Sequence, residues 1–560
     1  MIEKELPVKA PAQPKAKRSF NNLVNNPMLE DYSLRYAPRS FRKWGAYATA
    51  TTALGGIAYL ADFAIGGDVV VAHGFASAIW AILLAAAVIF LTGLPIAYYS
   101  ARYNIDMDLL TRGAGFGYLG STLTSVIYAS FTFIFFALEG SIMAQALNLY
   151  FGLPLAIGYL VCSLLVIPLV VFGMTLLAKL QVWTQPFWLI LLVLPFLAIL
   201  IREPNAFVAF SHFGGNSPTG PHVDFLGVGL GAGVALSLIA QIGEQVDYLR
   251  FMPDKTPENS KKWWIAVVGA GPGWVILGAL KQLAGAFLTF YIFAQVGSAL
   301  AVQPIQELLG GFRVLIPNPF IALTIATIFV ILSQIKINTT NAYSGSLSWS
   351  NFFSRILHRH PGRVVWLFLN VGIALLLMEM NMFAVLNTVL GFYSNVAIAW
   401  IGAVVADLVI NKPLLKLSPS YIEFKRAHLH TINPVGFGSM IIASIVSVIA
   451  FFGLLGPFAQ AFSPFLAIII ALVLSPLLAI ITRGKYYIAR ENTVSTEPGT
   501  GKILPVLNCM ACSDDYETPD MTYCPYHKGT ICSLCCTLEK NCHDMCKTSN
   551  VLEPGAGAAD

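Results

Sequence analysis

The sequence predicts an all-α membrane protein of twelve transmembrane helices, followed by a small cytoplasmic metal-bound module. Three observations predict it. Twelve apolar stretches alternate with polar loops, Lys and Arg concentrate in every second loop, and all but one of the cysteines fall between Cys509 and Cys546. A bilayer core needs about 20 apolar residues per helix, and loops rich in Lys and Arg stay on the cytoplasmic side. Hydrophobic residues make up 56% of the chain and charged residues 11%, which excludes an ordinary soluble enzyme. The net charge of +5 is carried by the inside loops and does not point to nucleic acid.

The apolar segments start near Ala46, Gly74, Phe116, Leu155, Val182, Phe225, Trp264, Pro319, Val364, Phe383, Phe437 and Pro464. Lys15, Lys17, Arg18, Arg42 and Lys43 precede span one, and Arg102 and Arg112 separate spans two and three. Lys179 falls between four and five, and Arg250, Lys255, Lys261 and Lys262 between six and seven. Arg355 and Arg363 lie between eight and nine, and Lys412, Lys416, Lys425 and Arg426 between ten and eleven. Arg483 and Lys485 close the last span, while the opposite loops carry Arg202 and Arg313. Twelve spans with both termini cytoplasmic, in a cell (inner or plasma) membrane, preserve this alternation. The stretch Met1 to Arg18 is polar and lacks the apolar core of a signal peptide. The expected divisions are a cytoplasmic tail over 1–45, a membrane domain over 46–483, a linker over 484–507, a Cys/His-rich module over 508–547 and a flexible tail over 548–560.

Span one carries Gly55, Gly56, Gly66 and Gly67, and span six carries Gly227, Gly229, Gly231, Gly233 and Gly243. Glycine lets a helix unwind and present backbone groups to a ligand, although small residues also serve close helix packing. If the chain holds two sets of five spans, one and six correspond, and matched interruptions in such helices mark the central site of transporters built from inverted repeats. Span three, from Phe116 to about Tyr150, is long enough to require tilt, and Pro272 with Gly273 marks an irregular start to span seven.

Ionisable groups inside apolar spans are costly and point to function. Asp62, Glu139, Lys281, Lys336 and Glu379 are such groups, Glu379 and Asp62 lying nearest a membrane surface. Glu139 follows Phe131, Phe133, Phe135 and Phe136. Aromatic faces beside one carboxylate suit a flat heterocycle, which stacks on the rings and donates N–H bonds to the acid; lipid-facing phenylalanines and a Glu139–Lys281 pair are the alternative. The stretch Ser333 to Asn341 is the densest polar patch in any span and must line a cavity or bond to another helix. Lys336 within it either lines that cavity or snorkels to the interface.

Four segments resemble the nucleobase–cation symporter-1 family, which includes carriers of purines, cytosine, allantoin and hydantoins. They are Asp106-Met107-Asp108 through Gly115 to Ser121, Asp247-Tyr248-Leu249-Arg250-Phe251, Asn338-Thr339-Thr340-Asn341, and Ala406-Asp407. The resemblance implies a five-plus-five inverted-repeat transporter fold with two added helices, working by alternating access. It also implies a substrate site between spans one, three, six and eight, with Phe135 and Glu139 from span three and Asn338 or Asn341 from span eight. Span six departs from the family pattern, because around Ser237 and Leu238 there is no aromatic residue. In sodium-coupled members, hydroxyl residues of span eight hold the ion beside carbonyls of span one. Lys336 and Ile337 fall there, a departure from the family pattern that leads to the expectation of a carrier that is not sodium-coupled. Either Lys336 is the coupling residue, since a desolvated lysine can lose its proton near neutral pH, or its ammonium locks the site and no ion is coupled.

The cysteine tail pairs Cys509 with Cys512, Cys524 with His527, Cys532 with Cys535, and Cys542 with Cys546, leaving Cys536 and His543 over. Cytoplasmic thiols seldom form disulfides, and pairs three or four apart supply two ligands each to a tetrahedral ion. Two zinc sites are expected, interleaved as in RING-like modules, with an iron–sulfur cluster as the alternative. A segment this short needs metal to fold. Cys162, alone in span four, reads as a packing residue. No catalytic constellation occurs in the spans, so an enzyme is not expected. The function expected is transport of a nucleobase-like N-heterocycle; the alternative is a transporter-derived sensor that signals through the metal module to a cytoplasmic partner.

Overall fold

A computed structural model describes residues 22–25, 29, 31, 33–42, 44–172, 174–492, 494 and 505–547. Lys15, Lys17, Arg18, Lys43, linker residues 493 and 495–504 and the 548–560 tail lie outside the described residues. Among those described, nine helices are long and apolar enough to cross a membrane, and Leu155–Val171 is a shorter apolar helix. The chain is a multi-pass membrane protein. Central and peripheral helices differ in burial. In Phe225–Leu249, 83% of the apolar window is buried, against 22% in Leu176–Arg202 and in Ser463–Thr482. Exposed Trp183, Phe187, Ile190, Ile469, Val473 and Ile481 form part of the apolar perimeter that hydrocarbon would cover.

Local chemistry sets the helix ends. Asn318 accepts from the amides of Phe320 (3.0 Å) and Ile321 (3.2 Å) ahead of Pro319, and Asp224 does the same for Leu226 and Gly227. Asn104, His358 and Arg483 end their helices at positive φ. The helix Ala61–Tyr103 runs through both of the first two expected spans, but Gly74 interrupts it with φ 73° and ψ 174°. A side chain at Gly74 would stand 2.5 Å from the Gly220 carbonyl, so both its backbone angles and its neighbours require glycine. Gly271 to Gly273 likewise separate Ser260–Ala270 from Trp274–Val296.

Two further breaks lie at the centre of the bundle. The first helix, Ala46–Gly55, passes through one 3-10 turn and gives way to extended backbone at Tyr59 before helix resumes at Ala61. The Phe225–Ala235 helix tightens to a 3-10 segment over Leu236–Ala240 and continues as Gln241–Leu249. The glycines flanking these breaks are close-packing positions. A Cβ on Gly66 would lie 1.8 Å from the Gln282 carbonyl, one on Gly285 2.3 Å from the Phe63 carbonyl, and one on Gly231 2.8 Å from Val69.

The Cys-rich segment forms two antiparallel hairpins and a short helix. β1 (Val506–Asn508) pairs with β2 (Asp515–Glu517), and β3 (Met521–Cys524) with β4 (Gly529–Cys532), followed by Ser533–Leu538. The module packs on the end of the bundle where the Pro319–Leu357 helix terminates: His358 Nδ1 lies 3.1 Å from the Thr537 carbonyl.

Candidate functional site: a broken helix clamped by Glu139 and Lys281

The break at Ile57–Ala61 leaves backbone groups without helical partners, and two buried side chains take them up. The Glu139 carboxylate, on the Gly120–Phe151 helix, accepts from the amides of Leu60 and Ala61, each at 3.1 Å. Helix resumes there, so the acid sits at a helix N-terminus, where the aligned peptide dipoles favour negative charge. On the other side of the break, the Lys281 ammonium donates to the carbonyls of Ile57 and Tyr59 at 2.8 Å each. It pairs with Asp62 at 3.0 Å and lies 3.8 Å from the centre of the Tyr59 ring. Gln282 donates to the other Asp62 oxygen at 2.8 Å. Asp62 and Glu139 are fully buried. Glu139 thus holds amides and Lys281 holds carbonyls, and the two acids do not compete for the same cation.

Three buried polar atoms lack hydrogen-bond partners: the Tyr59 hydroxyl and Glu244 Oε1 beside this clamp, and Asn341 Oδ1 on the Pro319–Leu357 helix. Tyr59 neighbours Asp62, Glu139 and Glu244, and Gln334 lies against Glu139. Burying polar atoms unpaired is costly, and Tyr59 and Glu244 carry such atoms beside the broken helix. Asn341 Nδ2 donates to Asn338 Oδ1 at 3.1 Å, and Asn338 Nδ2 reaches the Phe136 carbonyl at 3.4 Å. Gln334, Asn338 and Asn341 recur at helical spacing and share one face of the Pro319–Leu357 helix. Phe135 is buried one turn before Glu139, with its ring 4.5 Å from that of Phe131. Ser237 lies in the 3-10 segment, its hydroxyl donating to the Val234 carbonyl at 2.7 Å.

Lys336 points elsewhere. Its ammonium donates to the Gln181 carbonyl (3.1 Å) and to Thr184 Oγ1 (2.9 Å), both on the Met174–Arg202 helix. It is fully buried and does not snorkel. The ammonium at the span-one carbonyls is that of Lys281. Asp62 is likewise no interfacial group, whereas Glu379 is exposed at its helix end. Tyr59, Glu244 and Gln334 are participants that sequence reasoning did not single out. Gln334 stood inside the polar stretch, while the Tyr59 signal was an aromatic residue between two glycine pairs.

Three of the four segments that carry the family resemblance build the module end of the bundle, the exception being Asn338–Asn341. Arg250 pairs with Asp106 at 3.1 Å and donates to the Tyr343 hydroxyl at 3.0 Å. Tyr128 donates to Asp247 at 2.8 Å, and Ser348 to Asp108 at 2.8 Å. Arg355 donates to the Tyr118 carbonyl (2.8 Å) and Ser121 Oγ (2.6 Å). Asp407 pairs with Lys412 at 3.2 Å and accepts from the Tyr487 hydroxyl. These side chains are all buried. At the opposite end a cavity of about 700 Å³ is lined by Asp68, Gln145, Asn148, Gln303 and Asn387 among others, and a second of about 280 Å³ shares Asp68 and Asn387.

The fold matches solved structures. Mhp1, a nucleobase-cation-symport-1 family transporter in a closed conformation with bromovinylhydantoin bound, is 17% identical, with 83% of this chain and 100% of that chain covered at a TM-score of 0.59. The chain has the fold of that transporter. The inward-facing conformation of Mhp1 aligns at 16% identity over 84% of this chain and 96% of that one, TM-score 0.56. The substrate-bound, outward-open state of a Na⁺-coupled sialic acid symporter aligns at 15% identity over 81% and 94%, TM-score 0.52. No family model matches the sequence, and no curated protein matches it.

In the module, Cys509, Cys512, Cys532 and Cys535 are buried, with sulfurs all within 4.8 Å of one another. The Cys532 amide donates to Cys509 Sγ (3.2 Å) and the Cys535 amide to Cys532 Sγ (3.3 Å). Neighbouring thiols, Cys512 foremost, hold the Cys509 thiol below its usual range by hydrogen bonding, while Cys532 and Cys535 are pushed up; four buried sulfurs this close together fit a tetrahedral thiophilic ion. The cluster joins the first and third sequence pairs. From the second and fourth, Cys524, Cys542 and Cys546 line a small cavity together with Cys536 and Glu539. His527 lies 3.2 Å from the Glu539 carboxylate.

Proposed function

We propose that this chain is a carrier for a planar N-heterocycle of the purine, pyrimidine, allantoin or hydantoin class, working by alternating access. The observation that carries the reading is the broken helix gripped by Glu139 and Lys281 beside partnerless polar atoms, inside a transporter fold. A ring with adjacent N–H and C=O groups can exchange bonds with Glu139, Asn341 and Gln334 while Phe135 and Tyr59 supply aromatic faces. Counting Gly74 as a reversal between crossings, and Leu155–Val171 and Arg363–Glu379 as crossings, gives twelve spans. The two central breaks then fall at the first span of each five-helix repeat, and the termini and module face the cytoplasm.

The carrier is not driven by sodium. The carbonyls of Ile57 and Tyr59 are satisfied by the Lys281 ammonium, a fixed cation already neutralised by Asp62. An incoming Na⁺ would have to displace a covalently tethered charge. Zinc-class ions bound by Cys509, Cys512, Cys532 and Cys535, with a second site from Cys524, His527, Cys542 and Cys546, complete the reading.

Uptake of labelled purines, pyrimidines, allantoin and hydantoins into proteoliposomes tests it, with and without a sodium gradient. Saturable uptake of one compound, unchanged when sodium is replaced by choline, is expected. Uptake that rises steeply with sodium would overturn the coupling assignment, and absence of uptake across the panel would overturn the carrier.

A further inference from the structure

The segment Ser33–Arg42 runs directly into the first broken helix, and it is held from two sides. On the bundle side, Arg39 Nε (2.9 Å) and Arg42 reach Asp254 in the loop after Gln241–Leu249, Arg42 donates to Asn104 Oδ1 (2.9 Å), and the Ala37 amide donates to the Asn104 carbonyl (2.8 Å). Burial raises the Asp254 carboxyl, but the Arg42 and Arg39 guanidiniums more than reverse this and hold it below its ordinary range. On the module side, the Tyr36 hydroxyl donates to Glu517 Oε2, and the Arg39 amide to Glu517 Oε1 at 2.8 Å. Arg35 lies over the Tyr516 ring at 4.8 Å, and Ser533 Oγ reaches the Leu34 carbonyl at 3.5 Å.

The residues that make the module-side grip are placed by the four-cysteine cluster. Glu517 ends β2, five residues after Cys512, and the Tyr516 hydroxyl lies 3.5 Å from Cys512 Sγ. Ser533 follows Cys532 and donates to Asp520 at 2.5 Å. Two three-residue strands cannot hold this geometry unaided, whereas a tetrahedral ion ties both hairpins together.

We propose that Cys509, Cys512, Cys532 and Cys535 form a regulatory metal site whose zinc-class ion latches segment 33–42, and with it the first broken helix, against the module end of the bundle. Metal binding then favours the state in which that end is shut, because the Glu517 contacts exist only when module and segment are docked. Loss of the ion frees the segment and lowers the cost of opening. The latch rests on the carrier reading for its consequence but not for its test.

The test is hydrogen exchange on the full chain in lipid nanodiscs, with zinc as the probe. Stripping metal with a strong chelator is expected to lower protection at least tenfold over both 505–547 and 33–42, and stoichiometric zinc to restore both. In zinc-loaded protein, Glu517→Ala is expected to lose protection over 33–42 while 505–547 stays protected. Protection of 33–42 that survives metal removal overturns the latch, as does a zinc-loaded Glu517→Ala chain that exchanges like the parent. The readout needs no substrate, so a failed uptake panel leaves the latch standing.

Discussion

Lys281 meets Asp62 at 3.0 Å in the centre of the bundle while donating to two carbonyls of the broken helix. One ammonium thereby serves an acid and the open backbone together. A buried pair of this kind contributes little net stability when intact, because desolvation offsets attraction, yet removing one partner strands the other.

Lys281→Met is therefore expected to destabilise the protein by about 3–5 kcal/mol, the range for breaking a buried pair. Asp62→Asn added to it recovers part of that loss, with a coupling of roughly 2 kcal/mol between the positions. Thermal unfolding of the four proteins in detergent measures the cycle. Strictly additive single and double variants would mean that the pair is not coupled.

Glu139→Gln tests the other half of the clamp. The amide keeps one acceptor for Leu60 or Ala61 but turns a donor toward the second backbone N–H and removes charge from the helix N-terminus. Hydrogen bonds to charged groups are worth about 1.5–3 kcal/mol, so heterocycle affinity is expected to fall about tenfold or more while the protein still folds. Titration calorimetry with the transported compound reads this directly, and affinity within twofold of the parent would remove Glu139 from the site.

Long-range features of the fold were legible because the bilayer enforces them. Apolar length, basic loops and the Pro272-Gly273 irregularity mark segments that must either cross or stop crossing. Gly74 stood at the start of the second span, and the structure breaks there at a positive φ. Of the site, Glu139 and the polar face of Gln334, Asn338 and Asn341 were visible as groups too costly to bury without purpose. The identity of the ammonium at the span-one carbonyls was not visible. Lys281 and Lys336 are both single lysines in apolar helices, and only the packing of the Trp274–Val296 helix against the break decides between them. The glycine runs misled in part, since Gly66 and Gly231 admit neighbouring helices whereas Ile57, Tyr59 and Leu60 carry the break itself. The role of three of the family-like segments was equally hidden: Asp106 pairs with Arg250, and Asp247 accepts from Tyr128, at the module end of the bundle.

The docked module is expected to loosen in mild acid. His428, in the loop before Pro434, lies 2.7 Å from Thr522 Oγ1 and 2.9 Å from the Arg490 carbonyl. Burial lowers its imidazole from 6.5 to about 4, with Glu423 and the Arg490 carbonyl opposing and the Lys425 and Arg490 charges assisting. An undocked His428 takes up its proton first, so docking is at full strength above pH about 6.5 and weakens as pH falls toward 4. Hydrogen exchange over 521–524 in zinc-loaded protein is expected to accelerate through that window, and His428→Gln to flatten the dependence. Exchange that is level between pH 7 and pH 5 would count against the assignment.

Metal content separates the two halves of the module. Cys509→Ser removes a ligand from the tight cluster and is expected to release one ion and unfold both hairpins, because the first cysteine pair lies in the turn between β1 and β2 while the third lies at the end of β4 and in the helix that follows it. In the other half of the module, Cys524, Cys542 and Cys546 share a cavity with Cys536, while His527 is engaged with Glu539. His527→Gln and Cys536→Ser therefore give opposing readouts. If His527 ligates, its variant holds one zinc per chain by mass spectrometry and Cys536→Ser holds two. If the cavity geometry prevails, Cys536→Ser holds one and His527→Gln two, and the Glu539–His527 contact becomes a bond that positions the loop around the site. One zinc in the parent protein would confine metal binding to Cys509, Cys512, Cys532 and Cys535.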